Sequence, residues 1–354
     1  MKKALLIVNL GTPRSPSPSD VATYLREFLT DGYVIDIPNP FRWLLVNGII
    51  APFRSRKSAH AYQQVWTDEG SPLMVNSLRY VEKLKREESQ RGEDGFEVKL
   101  AMRYGAPSLA HELRALIEAG RTEIYVWPMY PQYAQSSSET VLAVCREVFR
   151  STQFKGNAYF LEDFCGDDAV AKIWADRILA EQKEFQADHL LLSYHGLPIR
   201  HVKRISEQCE GKGSCSFEST PFNKRCYRRQ SFITSAAIQK QLGGAGEMGQ
   251  RLVGKNTSIG FQSRLTSGWI EPFSDGFYRE LPKSGVRRLL VACPSFVTDC
   301  LETLEEVALR GKEEFCAHGG EDLKLVPCLN DHEDWVKQSS LMAHDSARWQ
   351  RFQI

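Results

Sequence analysis

Short, continuous apolar runs alternate with amphipathic stretches along the whole chain, and this alternation restricts the fold most. The runs are ALLIVNL (4–10), FEVKLAMRY (96–104), TEIYVWPMY (122–130), NAYFLE (157–162), HLLLSYH (189–195), TSIGFQS (257–263), RRLLVACP (287–294) and DLKLVPCL (322–329). A strand covered by helices on both faces must be apolar on both, so it reads as an unbroken run rather than a two-residue alternation. Between the runs lie helical patterns at 108–120, 137–149, 168–182, 225–243 and 300–315. In the first of these, Ser108 predicts an N-cap and Gly120 a C-terminal stop. Strands alternating with helices imply a doubly wound α/β architecture with parallel sheets. With 354 residues, the chain has room for two such halves. The expected halves are 1–170 and 171–354, with the boundary placed in the region 160–185.

Composition removes several functions. Lys+Arg number 45 and Asp+Glu 44, so no strong global field attracts nucleic acid, and none is expected as a partner. No apolar run reaches the ~18 residues that span a bilayer. The N-terminal run enters Gly11-Thr12-Pro13 and reads as a first buried strand rather than a signal peptide. Nine cysteines, an odd number, are dispersed over the chain, which predicts a reducing cytoplasm rather than a disulfide framework. Neither Gly11-Thr12-Pro13 nor Gly211-Lys212-Gly213 fits a phosphate loop, and HExxH, GxSxG and kinase signatures are missing from the sequence.

In open α/β sheets, ligands bind beyond the carboxyl ends of the strands, so chemistry is sought there. His195 ends an apolar strand and precedes Gly196-Leu197-Pro198. It reads either as a neutral imidazole able to take a proton or a metal, or as a strand-end histidine bonded to backbone. Asp299, Glu302 and Glu306 are spaced i, i+3, i+7 and share one face of a helix. They form either a carboxylate row that carries protons or guides a cation, or the usual acidic start of a surface helix. Tyr130 to Ser138, with Met102-Arg103-Tyr104-Gly105, supplies a polar rim; its serines either cap a helix or form an anion site. Cys209, Cys215 and Cys226 cluster in one connection and are candidate ligands for zinc or an iron–sulfur cluster, with free thiols as the alternative. His201 or Ser231 would have to be the fourth ligand.

Residues 21–66 break the alternation. They are rich in Leu, Ile, Phe and Trp and broken by Pro38, Pro40 and Pro52. They read as helices packed on the sheet, as an apolar lip over a large flat ligand, or as a surface resting on a membrane. Arg54, Arg56 and Lys57 beside them suit acidic lipid or a carboxylate-bearing ligand.

Taken together, the strand ends resemble the ferrochelatase family over nearly the whole chain. The matching segments are Val8 to Pro13, Phe28 to Asp31 with Val34 to Pro38, Gly70 to Leu73, Arg103 to Gly105, Tyr130 to Tyr133, Ser193 to Pro198, Phe261 to Arg264, Trp269, and Phe296 to Glu306. The resemblance implies two Rossmann-like halves with a cleft between them, of the class II chelatase type. It also implies insertion of Fe²⁺ into protoporphyrin IX or coproporphyrin III, with no cofactor required beyond the iron substrate. Catalytic roles fall on His195, Glu302 and Glu306, with His195 and Glu302 also meeting the metal. Porphyrin contacts fall on Arg54, Tyr62, Ser71, Arg103, Tyr104, Gln132, Tyr133 and Trp269. Several bacterial members hold a [2Fe-2S] cluster on four cysteines, to which Cys209, Cys215 and Cys226 would contribute three. Many members carry histidine where this chain has Cys300. A cytoplasmic enzyme, membrane-associated through the lip and monomeric or homodimeric, is the expectation. The alternatives are a chelatase for cobalt or for a sirohydrochlorin-type tetrapyrrole, and a non-catalytic porphyrin or haem carrier.

Overall fold

A computed structural model of the chain describes residues 3–213, 215, 218–221 and 223–352. All eight expected strands are present: β1 (Lys3–Gly11), β2 (Glu97–Tyr104), β3 (Glu123–Pro128), β4 (Asn157–Leu161), β5 (His189–His195), β6 (Thr257–Gln262), β7 (Arg288–Ala292) and β8 (Asp322–Leu325). They form two sheets in two units, each with helices around it. This is the expected α/β architecture of two parallel-sheet halves.

The first unit comprises Met1–Tyr130, Gln135–Glu162 and Asn330–Ile354. Its sheet runs β2-β1-β3-β4-β9, where β9 (Trp349–Arg351) is a short antiparallel edge strand on β4. Every other pairing in it is parallel. The central strand β1 is buried from Ala4 to Asn9, which is why it is apolar from Ala4 to Val8. It stops at Gly11, whose φ is +113° and where a Cβ would lie 1.8 Å from the Tyr104 carbonyl oxygen, so only glycine fits. The expected division at 170/171 differs from these units at the C-terminus. There β9 pairs with β4, and Ser340 and His344 of the helix Glu333–His344 hydrogen-bond the buried Glu88. Three residues of strand between polar turns are too short to show periodicity, so the sequence carries no sign of this return.

The second unit comprises Pro131–Ala134 and Asp163–Leu329, with the wholly parallel sheet β6-β5-β7-β8. Its core packs Leu191, Leu289, Val291 and Leu323 of the sheet against Val307, Phe315 and Tyr278.

Residues 21–66 are helical for most of their length: Pro18–Leu29, Phe41–Leu44, a π-helical stretch Leu45–Ile50 and Ala51–Val65. The helices pack on one another, yet Phe41, Trp43, Leu44, Ile49 and Phe53 remain 56–78% exposed. These five large apolar side chains therefore stay open to water on the first unit.

Candidate active site

The site is built at the carboxyl end of the second sheet. His195 is the last residue of β5, and its backbone N–H donates to Ser295 Oγ at 3.0 Å. Its Nδ1 lies 2.6 Å from the Gly196 carbonyl oxygen. A carbonyl only accepts, so Nδ1 carries the proton and the neutral ring leaves the Nε2 lone pair available. The Trp269 and Phe296 rings flank the imidazole, with centroids at 6.4 and 6.2 Å. The next residue must be small: a Cβ on Gly196 would meet the Gln262 carbonyl oxygen at 2.7 Å and the Trp269 ring at 3.1 Å.

Gln262 stands opposite His195 in the parallel register of β5 and β6. Its buried amide accepts from Ser193 Oγ at 2.7 Å and donates to the Glu302 carbonyl at 2.8 Å. The sheet thereby holds the start of the acidic helix beside the histidine. The following residue, Ser263, adopts φ +62°. Its N–H and its hydroxyl each donate to one oxygen of the Glu306 carboxylate, both at 2.6 Å. Burial raises the Glu306 pKa, opposed by the Ser263 hydrogen bond and by the charges of His195 and Arg310; the neighbouring Glu302 carboxylate raises it further. His195, Glu302 and Glu306 therefore form one electrostatic group.

The acidic segment departs from the expected plain helix. One turn, Leu301–Thr303, gives way to a π-helical stretch Leu304–Gly311 before α-helix resumes at Lys312–Ala317. Such stretches recur at functional sites because the extra residue re-aims side chains. The row also sheds a member. Asp299 is buried, accepting from Thr303 Oγ1 at 2.9 Å and the Cys328 N–H at 3.2 Å, so it ties the helix start to the strand end. Glu305 pairs with Arg310 Nε at 2.8 Å. The Cys300 thiol hydrogen-bonds the Glu302 side chain, and burial pushes its pKa well up, so it stays a protonated donor where a histidine would titrate.

The remaining sequence candidates divide between the units. In the first, Arg54 is exposed at the lip and Tyr62 packs edge-on against Trp66. Ser71 is buried and caps the helix Pro72–Ser89 by accepting from the Met74 N–H at 3.2 Å. Arg103 and Tyr104 converge on Asp31: the guanidinium pairs with it, the Tyr104 hydroxyl donates to it at 2.9 Å, and Thr140 does so at 2.5 Å. Burial raises the Tyr104 pKa and keeps the phenol neutral. In the second unit, Gln132 and Tyr133 are 2% exposed. The Gln132 amide donates to Thr234 Oγ1 at 3.0 Å, and the Tyr133 N–H donates to Gln230 Oε1 at 2.6 Å. Ser138 is buried in a π-helical turn, Gln135–Glu139, which precedes the helix Thr140–Ser151. Sequence reasoning assigned no role to Gln262, Ser263 or Asp31, although all three lie inside segments that carried the resemblance. Adjacency to His195 across a sheet is set by register, and no periodicity reports register.

Comparison with solved structures gives the class first. SirB from Bacillus subtilis with Fe³⁺ superposes with a TM-score of 0.54 at 13% identity, covering 97% of this chain and 94% of that one. The sirohydrochlorin chelatase SirB from Bacillus subtilis subspecies spizizenii, in complex with cobalt, gives 0.50 at 13% identity, over 97% and 93%. The fold is that of the chelatases. The sequence is more specific: the ferrochelatase family model matches residues 2–344. The ferrochelatase of Pseudomonas fluorescens strain Pf-5 is 44% identical over 339 residues, 94% of this chain and 95% of the relative. That of Coxiella burnetii strain Dugway is 41% identical over 349 residues, 98% and 94%. The chain belongs to the ferrochelatase family and is an enzyme of haem biosynthesis that inserts iron into a porphyrin.

Proposed function

We propose that the chain metalates protoporphyrin IX or coproporphyrin III with His195 as the proton acceptor and Glu306 and Glu302 as the route by which protons leave. The observation that carries this is the pairing of an imidazole whose Nε2 is left free of the Gly196 contact with a carboxylate clamped by two hydrogen bonds from Ser263. A porphyrin holds two central N–H protons, and metal cannot enter until they depart. Nε2 takes one. The imidazolium so formed stabilises the neighbouring carboxylate charge, and transfer to Glu306 resets the ring. Glu302 and His195 would also meet the incoming Fe²⁺. Trp269 and Phe296 offer aromatic faces beside the imidazole against which the macrocycle can be held bent, which turns a pyrrole lone pair out of the ring plane. Arg54 is an exposed cation suited to a propionate, and the resemblance assigns further porphyrin contacts to Tyr62, Ser71, Arg103 and Tyr104 of the first unit and to Gln132 and Tyr133 of the second. The acceptor role requires a neutral imidazole. His195→Ala should lose 10²-fold or more of haem formation from porphyrin and Fe²⁺ at unchanged melting temperature, roughly the contribution of one positioned base. Turnover like the parent's would refute the assignment. A non-catalytic carrier would have no use for the Ser263 clamp, which serves a charge and not a porphyrin face.

The lip carries a second proposal, peripheral membrane contact. Phe41, Trp43, Leu44, Ile49 and Phe53 stand exposed with Arg54, Arg56 and Lys57 alongside, an amphipathic surface suited to anionic lipid. Among the described residues no helix is long and apolar enough to cross a membrane. A cytoplasmic location suits nine unpaired cysteines.

A [2Fe-2S] cluster fits the residues poorly. Cys215 Sγ already accepts from Arg228 at 2.6 Å, and among the described residues no three His, Cys, Asp or Glu side chains are grouped so as to hold a metal ion. Ser231, in the place of a fourth ligand, is wholly buried within a helix and donates to the Tyr227 carbonyl at 3.0 Å. No step of the reaction is routed through a cluster.

A further inference from the structure

A buried polar chain inside the second unit ends on the backbone of the acidic segment, and Gln262 is its last link. The Gln262 side chain is buried and faces the Glu302 carbonyl at 2.8 Å. A carbonyl only accepts, so the amide presents its NH₂ group there and its orientation is fixed. The amide oxygen turns the other way and accepts from Ser193 Oγ at 2.7 Å and from Cys293 Sγ at 3.6 Å. Ser193 gives its single proton to Gln262, so Ser274 Oγ, 2.7 Å away, donates to Ser193. Ser193, Ser274 and Cys293 are all 1% exposed or less. Ser274 opens the helix Ser274–Lys283 and comes this near because β6 carries Gly260, where a Cβ would lie 2.7 Å from Ser274 Oγ. The chain therefore runs one way, from Ser274 through Ser193 and Gln262 to the Glu302 backbone.

Its end point is a particular one. Ser193 and His195 are two apart on β5 and share one face of the sheet, and Gln262 stands opposite His195 in the register. The carbonyl that Gln262 holds belongs to the single turn Leu301–Thr303, just before the π-helical stretch Leu304–Gly311. Ser263, the next residue, holds the Glu306 carboxylate. Two adjacent residues of one strand end thus grip two residues four apart in the acidic segment, one by its backbone and one by its side chain. Asp299 ties the same turn down through Thr303 Oγ1 and the Cys328 N–H. Any buried acceptor would satisfy the amide; this one sits on the residue proposed to meet the metal.

We propose that Gln262 is a positioning residue for metalation: by holding the Glu302 backbone where the winding changes from α to π, it fixes the Glu302 carboxylate relative to His195, and Ser193 holds the amide in turn. This rests on the reading of His195 and Glu302 as the residues that meet the incoming Fe²⁺. In this role Gln262 touches neither ring nor metal. Misplacing a reacting group by about 1 Å costs on the order of a hundredfold in rate, whereas the binding of the ring depends on other side chains. Loss of Gln262 is therefore felt in kcat and not in the porphyrin KM.

The test uses the full-length protein, with haem absorbance for kcat and porphyrin KM and circular dichroism for melting. Gln262→Met keeps the length of the side chain and removes the donor. It should lower kcat roughly ten- to a hundredfold and leave the porphyrin KM within about twofold. Ser193→Ala keeps Gln262 but frees the amide, and should show a smaller loss with the same split. The double variant should be no slower than Gln262→Met, because Ser193 then has no amide to hold, and Gln262→Met should cost little further in a Glu302→Gln background. Parent-like kcat in folded Gln262→Met, a loss confined to KM, or losses that multiply in either double variant would overturn the proposal. If Gln262→Met does not fold, Ser193→Ala decides, and parent-like kcat there overturns it equally. A slow Glu302→Gln beside a parent-like Gln262→Met would sink the positioning role alone. A parent-like Glu302→Gln would sink the catalytic reading of Glu302, and the role of Gln262 with it.

Discussion

Ser263→Ala isolates one bond in the proposed proton path. Serine and alanine share a Cβ, so the strain of φ +62° is common to both and cancels. What is lost is the hydroxyl that donates to Glu306 at 2.6 Å; the backbone N–H at the same distance remains. A hydrogen bond to a charged group contributes about 1.5–3 kcal/mol. At about 1.4 kcal/mol per factor of ten, its loss changes the proton affinity of the carboxylate roughly ten- to a hundredfold. The sign follows from the balance at this residue. Burial already holds the Glu306 pKa above the ordinary carboxylate value, and Ser263 is the largest opposing influence, so removing it raises that pKa further. A proton acceptor works ionised, so the acid limb of the metalation rate must move to higher pH. Anaerobic assays following haem absorbance across pH read this directly. In the variant the rate should recover toward the parent's on the alkaline side. A limb that does not move, or an equal loss at every pH, would refute the reasoning and make Ser263 merely structural.

Glu306→Gln should slow metalation at least tenfold while leaving porphyrin binding within about twofold. The same variant should melt above the parent near neutral pH. A carboxylate whose folded pKa lies above its unfolded one stabilises the fold only at low pH, and that contribution is lost as pH rises through the folded pKa, so deleting the charge removes a destabilising term. Glu302→Gln should retain porphyrin binding and lower the rate, with single-turnover absorbance as the check. Asp31→Asn should destabilise the first unit by about 3 kcal/mol, the lower end for a pair left incompletely buried, since Arg103 loses its counter-charge; urea denaturation measures it. Phe53→Ser should weaken binding to anionic vesicles roughly ten- to a hundredfold, from the about 1.5–3 kcal/mol of a buried phenylalanine, and sedimentation would show it.

The sheets were legible because each parallel strand must be apolar on both faces, and eight such runs stand in the sequence in order. The helix caps were legible where a single residue does the work, as at Ser108, which accepts from the His111 N–H at 3.3 Å. His195 and the two glutamates were legible as strand-end and helix-start chemistry. The roles of their neighbours were not. Ser71, assigned a porphyrin contact, also caps a helix; Asp299 of the acidic row is a buried tether; the Cys300 thiol hydrogen-bonds Glu302.

What the linear chain determined by itself is therefore the layered α/β architecture, the family, and the position of His195 at a strand end and of Glu302 and Glu306 after one, because these depend on local pattern and on residue type. Only the tertiary structure decided that Gln262 stands beside His195, that Ser263 grips Glu306, that the acidic segment winds as a π-helix and that the C-terminal segment returns to the first sheet. Each of these is a matter of register or of contact between residues far apart in sequence. Such contacts follow from which strands pair and how burial balances hydrogen bonding, not from any short-range signal in the chain.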